Sequence, residues 1–100
     1  MAVTSKVLAR TAAATSSTTL YTVPSSTTAI ITNIAVTNTA SSAGTFTLTL
    51  DGVALHTTTA IAANATVYID LKQVLATTKI IAGLASATSI NFHISGVEIA

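Results

Sequence analysis

The chain has no cysteine and no tryptophan, a single proline, and few charges, with four Lys and Arg against three Asp and Glu in 100 residues. Without cysteine there is no disulfide staple and no thiolate-held zinc, and the redox compartment is left open. Phosphate backbones are gripped by clustered cations, whereas Lys6, Arg10, Lys72 and Lys79 stand apart with no run among them. Direct nucleic-acid binding is therefore not expected, and the same scarcity argues against an anionic membrane surface. No stretch reaches the roughly 18 to 20 apolar residues of a membrane helix, and no apolar segment follows a basic start as in a signal peptide.

Groups able to do chemistry are equally scarce. His56 and His93 are the only histidines, and Asp51, Asp70 and Glu98 are the only carboxylates on side chains. A structural zinc needs four ligands and a catalytic zinc three with an open position, so no metal is expected. General acid–base work needs two titratable groups held close with their pKa values pushed apart. Here Asp51 belongs to a turn, and Asp70 and Glu98 fall near strand ends as solvated carboxylates. No serine sits in a G-x-S-x-G elbow or an S-x-x-K pattern, Ser95-Gly96 matching only the trailing half of the first. Neither a catalytic residue nor a cofactor is expected. Asn64-Ala65-Thr66 fits a glycosylation acceptor, and without a signal segment it reads as chance.

What the chain does have is threonine, alanine and serine, which together make about half of it. Apolar residues recur within this background at period two, the spacing that places them on one face of a strand. Phe46, Leu48 and Leu50 alternate with Thr45, Thr47 and Thr49; Val67, Ile69 and Leu71 with Thr66, Tyr68 and Asp70; Ile90, Phe92 and Ile94 with Asn91, His93 and Ser95. From Ala29 to Thr39, Ile30, Thr32, Ile34 and Val36 alternate with Ile31, Asn33, Ala35 and Thr37, so both faces are partly apolar, which reads as a long central strand. Asp51-Gly52 is the tight hairpin, because both residues accept positive φ. Pro24-Ser25-Ser26, Thr39 to Gly44 and Ala62-Ala63-Asn64-Ala65 are turns or loops, and Gly83 and Gly96 read as a bulge or a close backbone approach.

Strands are expected at roughly 3–9, 18–23, 29–39, 45–50, 53–58, 66–71, 79–83 and 90–99. Turn signals every eight to twelve residues favour a sandwich or closed barrel over a βαβ fold. The expected class is all-β, an antiparallel β-sandwich of about seven or eight strands, with a jelly-roll-like arrangement as one form of it. Its core should hold Ile34, Val36, Phe46, Leu48, Leu50, Val67, Ile69, Ile90, Phe92 and Ile94. Residues 20–100 form the single domain in this reading, and residues 1–19 an amino-terminal strand or an arm laid on a neighbour. Leu71, Val74 and Leu75 have helix-like spacing over a segment too short for more than about a turn.

Leu20-Tyr21-Thr22-Val23-Pro24, Ile30-Ile31-Thr32-Asn33-Ile34, Val36-Thr37-Asn38-Thr39 and the closing Ile90-Asn91-Phe92-His93-Ile94-Ser95-Gly96-Val97-Glu98 resemble a recurring pattern in small structural proteins of tailed bacteriophages. In that pattern a Y-T-V-P strand end leads into a long T-x-I-x-N-I-x-V-x-N strand, then a hairpin and a closing strand ending in S-G. The likeness runs from Leu20 onward. It implies a non-enzymatic virion protein, a capsid decoration subunit or a tail, baseplate or fibre accessory. Its partners would be other copies of itself, most plausibly as a trimer, together with the major capsid protein or tail proteins. A carbohydrate-binding module is the competing class. The partner-contact candidates are Lys6, Arg10, Tyr21, Tyr68 and His93, the tyrosines as outward anchors and the histidines, His56 included, as surface or interface groups. Small hydroxyl and methyl side chains suit such contacts, since they lose little rotamer freedom when an interface forms.

Overall fold

The period-two alternation resolves into eight strands in the computed structural model, which describes residues 3–100. They are β1 (Val3–Ala12), β2 (Thr18–Thr22), β3 (Thr28–Asn38), β4 (Gly44–Leu50), β5 (Val53–Ile61), β6 (Thr66–Leu75), β7 (Ile80–Ala85) and β8 (Ile90–Ile99). The strands form two antiparallel four-stranded sheets, in the orders β1-β8-β3-β6 and β2-β7-β4-β5. Only β4 and β5 are joined as neighbours in one sheet. Their turn is Asp51-Gly52, with φ of 54° and 74°, the positive pair that a two-residue hairpin needs. Asn64 holds the β5–β6 turn at φ 53°, a conformation that asparagine tolerates better than most residues.

The two sheets share one core. Ile31, Ile34, Val36, Ile90, Phe92 and Ile94 come from the first sheet, and Phe46, Leu48, Ile61, Ile81 and Ala85 from the second. Phe46 and Phe92 meet edge to face across the gap, with ring centroids 6.4 Å apart and planes at 73°, a favoured aromatic geometry. Leu50, Val67 and Ile69, expected in the core, pack against it only half-buried. The Leu71–Leu75 spacing belongs to β6 and not to a helical turn. Val3–Ala12, read as a strand or an arm, is a strand of the chain's own sheet, paired along its length with β8. Asn38 is buried at the end of β3, where its amide nitrogen donates to the Ser42 and Ala62 carbonyls and its oxygen accepts from the Ala40 amide. It clamps two loops together.

Register explains why β3 carries apolar residues on both faces. Ile31 lies opposite Gly96 and Asn33 opposite Ser95, so Thr32 is an extra residue relative to β8. The bulge reverses parity, as one unpaired residue must. Ile31 therefore points inward below it and Ile34 inward above it, while Ile30 faces out.

Each of the four edge strands is bulged too. Leu8 is unpaired in β1, Leu20 in β2, Leu55 in β5, and Leu71 with Lys72 in β6. All four leucines pack on the core, so the bulges turn large side chains in to close the open flanks of the two-sheet stack. They also interrupt the rows of free backbone groups that would otherwise invite another strand. A second bulge in β5 places Thr58 at φ 47°, with its amide held by the Thr47 hydroxyl at 3.0 Å.

Candidate interaction surface

Residues directly opposite each other in paired strands point to the same side of a sheet. The outer face of β1-β8-β3-β6 can therefore be read row by row. Arg10 pairs with His93, His93 with Ala35, and Ala35 with Tyr68. Three of the five contact candidates thus stand in one row across all four strands. The next row is Val7, Ser95, Asn33 and Asp70, and the one after it Ser5, Val97, Ile30 and Val74. Val3 and Ile99 follow at the end of the sheet.

Of the five large hydrophobic side chains exposed among the described residues, four lie on this face: Val3 at 65 %, Val7 at 46 %, Tyr68 at 73 % and Val74 at 67 %. Single exposed apolar residues are ordinary on a protein surface, whereas four on one face, two on each of its edge strands, make it the candidate contact surface. Ala35 keeps the centre of the face low, with Tyr68 on one side and His93 on the other.

Lys6 and Tyr21 lie elsewhere, and together. Tyr21 is half-buried against the core and not an outward anchor. Its hydroxyl donates to Glu98 Oε2, and the Lys6 ammonium donates to Glu98 Oε1 at 3.2 Å. The cluster ties β2 of one sheet to β8 and β1 of the other. Burial, then the hydrogen bond and the charge of Glu98, push the Tyr21 hydroxyl well above its ordinary range. The Tyr21 hydrogen bond holds the Glu98 carboxyl below its ordinary value against some desolvation, with Lys6 adding to the effect. Glu98 is therefore part of an inter-sheet tie and not a merely solvated strand-end carboxylate.

The pH dependence follows from the two directions. Glu98 binds its proton less readily folded than unfolded, so its stabilisation is complete above about pH 4.5, the ordinary value, and is lost as pH falls through the depressed folded value. Tyr21 has the opposite sign, and its contribution is complete below about pH 10.0 and is lost as pH rises through the raised folded value. Tyr21→Phe should lower the melting temperature at neutral pH and flatten the stability profile at both extremes. Thermal melts of both proteins from pH 3 to 11 check this, and parallel profiles would show that the tie contributes nothing.

His56, expected at the surface or an interface, is half-buried. Its ring lies 5.4 Å from that of Phe46, and Nδ1 is 3.2 Å from the Thr59 hydroxyl. It stands on β5, in the opposite sheet from His93, so the fold does not bring the two histidines together. Among the described residues no three His, Asp or Glu side chains converge as a metal site would require, no pocket opens on the surface, and no helix is long and apolar enough to cross a membrane. The sequence matches no protein-family model, and no curated protein matches it.

Proposed function

We propose that this chain is a non-enzymatic structural subunit of a virion, a capsid decoration protein of a tailed bacteriophage that reinforces the shell through contacts with the major capsid protein and with other copies of itself. The observation that carries the reading is the strand order. β1-β8-β3-β6 beside β2-β7-β4-β5 supports reading the two sheets as a jelly-roll sandwich, an architecture used by capsid and lectin domains.

The surface supports the same reading. On the outer face of β2-β7-β4-β5, Thr45, Thr47 and Thr49 stand beside Ala82 and Leu84, with Ala54 and Ala60 on the flank. A face of methyls and hydroxyls puts no charge among them out of water when it is covered, which suits permanent packing against a shell. Bulges in all four edge strands direct contacts to the faces and weigh against assembly by strand donation, the pilus mode. A tail, baseplate or fibre accessory would use the same faces. One observation favours a sugar-binding reading, the exposed Tyr68 diagonal to Asn33 and two residues from Asp70 on an open face.

Cosedimentation of the purified chain with capsid shells tests the proposal. Binding should saturate at a fixed number of copies per capsid subunit, and Thr45→Glu, which puts a charge on the threonine face at a hydroxyl that holds no other group, should weaken it by at least about tenfold. Failure to occupy shells, with retention by a glycan column that Tyr68→Ala abolishes, would transfer the assignment to carbohydrate binding.

A further inference from the structure

We infer that the outer face of β1-β8-β3-β6 packs against the same face of a second copy, about a two-fold axis parallel to the strands and lying between β8 and β3. This goes beyond the capsid reading, since it concerns the free protein and the sheet that the threonine face does not use.

The argument begins with where the unlike groups stand. Arg10 is on β1, at one edge of the face, and Tyr68 and Asp70 are on β6, at the other. Arg10 shares its row with Tyr68, and Asp70 is in the adjacent row. A two-fold rotation about an axis along the strands lays β1 of one copy over β6 of the other and β8 over β3, row on row. Each Arg10 then faces a tyrosine ring with a carboxylate one row away, an arrangement that supplies both a cation–π contact and an ion pair. Each His93 faces the low Ala35, so a tall side chain meets a short one. Val97 faces Ile30, and Ser5 faces Val74. Isologous contacts require such self-complementarity. An axis running across the strands would lay β1 on β1 and β6 on β6, keeping the arginines and aspartates of the two copies apart.

The size of the face also fits. Its strands are ten or eleven residues long, and at about 3.4 Å per residue and about 4.8 Å between strands the face covers about 650 Å². Two copies together bury about 1,300 Å², within the roughly 1,200–2,000 Å² of stable interfaces. Pairing covers Val3, Val7, Tyr68 and Val74, leaving Val53 on the hairpin as the one large hydrophobic side chain still exposed among the described residues.

Sedimentation velocity of the purified chain over a range of concentrations provides the test. The expected species is a dimer. Arg10→Asp and Asp70→Arg should each raise the dissociation constant at least about tenfold, and the double variant, which restores opposite charges across the axis, should recover most of the loss. Val74→Asp should also separate the copies. Far-UV circular dichroism identical to wild type and a melt that stays cooperative show that these exposed substitutions leave the fold intact, while loss of the dimer removes the dependence of the melting temperature on concentration. A wild-type chain that stays monomeric, or that runs as a trimer, would overturn the inference, as would a dimer that none of the single variants weakens. Because no shell is present, these outcomes are read independently of capsid binding.

Discussion

Phe92→Ala is expected to lower the unfolding free energy by about 3 to 5 kcal/mol, a large share of the roughly 5 to 15 kcal/mol that holds a domain of this size. Phe92 lies on β8, which pairs with β1 on one side and β3 on the other, and its ring is fully buried. It meets Phe46 of the opposite sheet edge to face, so truncation removes the aromatic bridge between the two sheets as well as the area the ring buries. The cavity cannot collapse easily, because β8 is held by ladders to β1 and β3 on its two sides. Urea titration should show the midpoint falling with the slope little changed, as for a loss of stability in an otherwise unaltered two-state transition. Phe46→Ala should cost a similar amount, and the two losses should be non-additive by about 0.5 to 1.5 kcal/mol, the worth of the aromatic pair beyond its area. A loss below about 1 kcal/mol for either variant would mean that the two sheets do not close on these rings.

The strands were legible because period two survives any composition that leaves one face apolar. Phe46, Leu48, Ile90, Phe92 and Ile94 sit in the interior where alternation places them, and the Asp51-Gly52 turn follows from the φ values those residues accept. The bulged residues themselves were not legible, although Gly96, read as a bulge or a close backbone approach, does lie opposite Ile31 beside the Thr32 bulge. One unpaired residue leaves no mark in composition, yet it moves every later side chain in the strand to the other face. Hence Ile31 is interior and Ile30 exterior, Leu8 is core, and Leu71 begins a continued strand where its spacing suggested a helical turn. In retrospect the leucines carried the signal. Leu8, Leu20, Leu55 and Leu71 each occupy an unpaired position on an edge strand, and two of them, Leu8 and Leu20, directly follow or precede another large side chain and so break strict alternation. The candidate surface was half legible for the same reason. His93 and Tyr68 were placed outward by parity within unbroken stretches, whereas their alignment with Arg10 in one row depends on pairing between strands far apart in sequence. Tyr21 misled because a tyrosine in a threonine-rich strand gives no sign that its hydroxyl will reach a carboxylate 77 residues away.

Gly96→Ala should be as damaging as loss of a core ring, although it adds only a methyl group. Gly96 lies on β8 opposite Ile31, immediately beside the place where Thr32 bulges. A Cβ there would run into the carbonyl oxygen of Ile30 and would also meet Leu8 Cδ1 at 3.0 Å. A flexible side-chain tip could swing aside, but the first obstacle is backbone of the neighbouring strand. That strand cannot retreat without breaking the β8–β3 ladder, and the Leu8 bulge in β1 faces the same part of β8 from the other side. Overpacking commonly costs about 1 to 3 kcal/mol where side chains can adjust; with backbone in the way the expected loss is at the top of that range or beyond it. Gly52→Ala is the matched comparison. Gly52 has φ of 74° and nothing within 4 Å of an added Cβ, so its substitution should cost only the roughly 1 to 2 kcal/mol of forcing alanine into the left-handed region. Parallel urea titrations of the two variants should therefore rank Gly96→Ala as clearly the more destabilised. The reverse order would mean that β8 and β3 are not held together at the Thr32 bulge, and that the inward positions of Leu8 and Ile31 have some other cause.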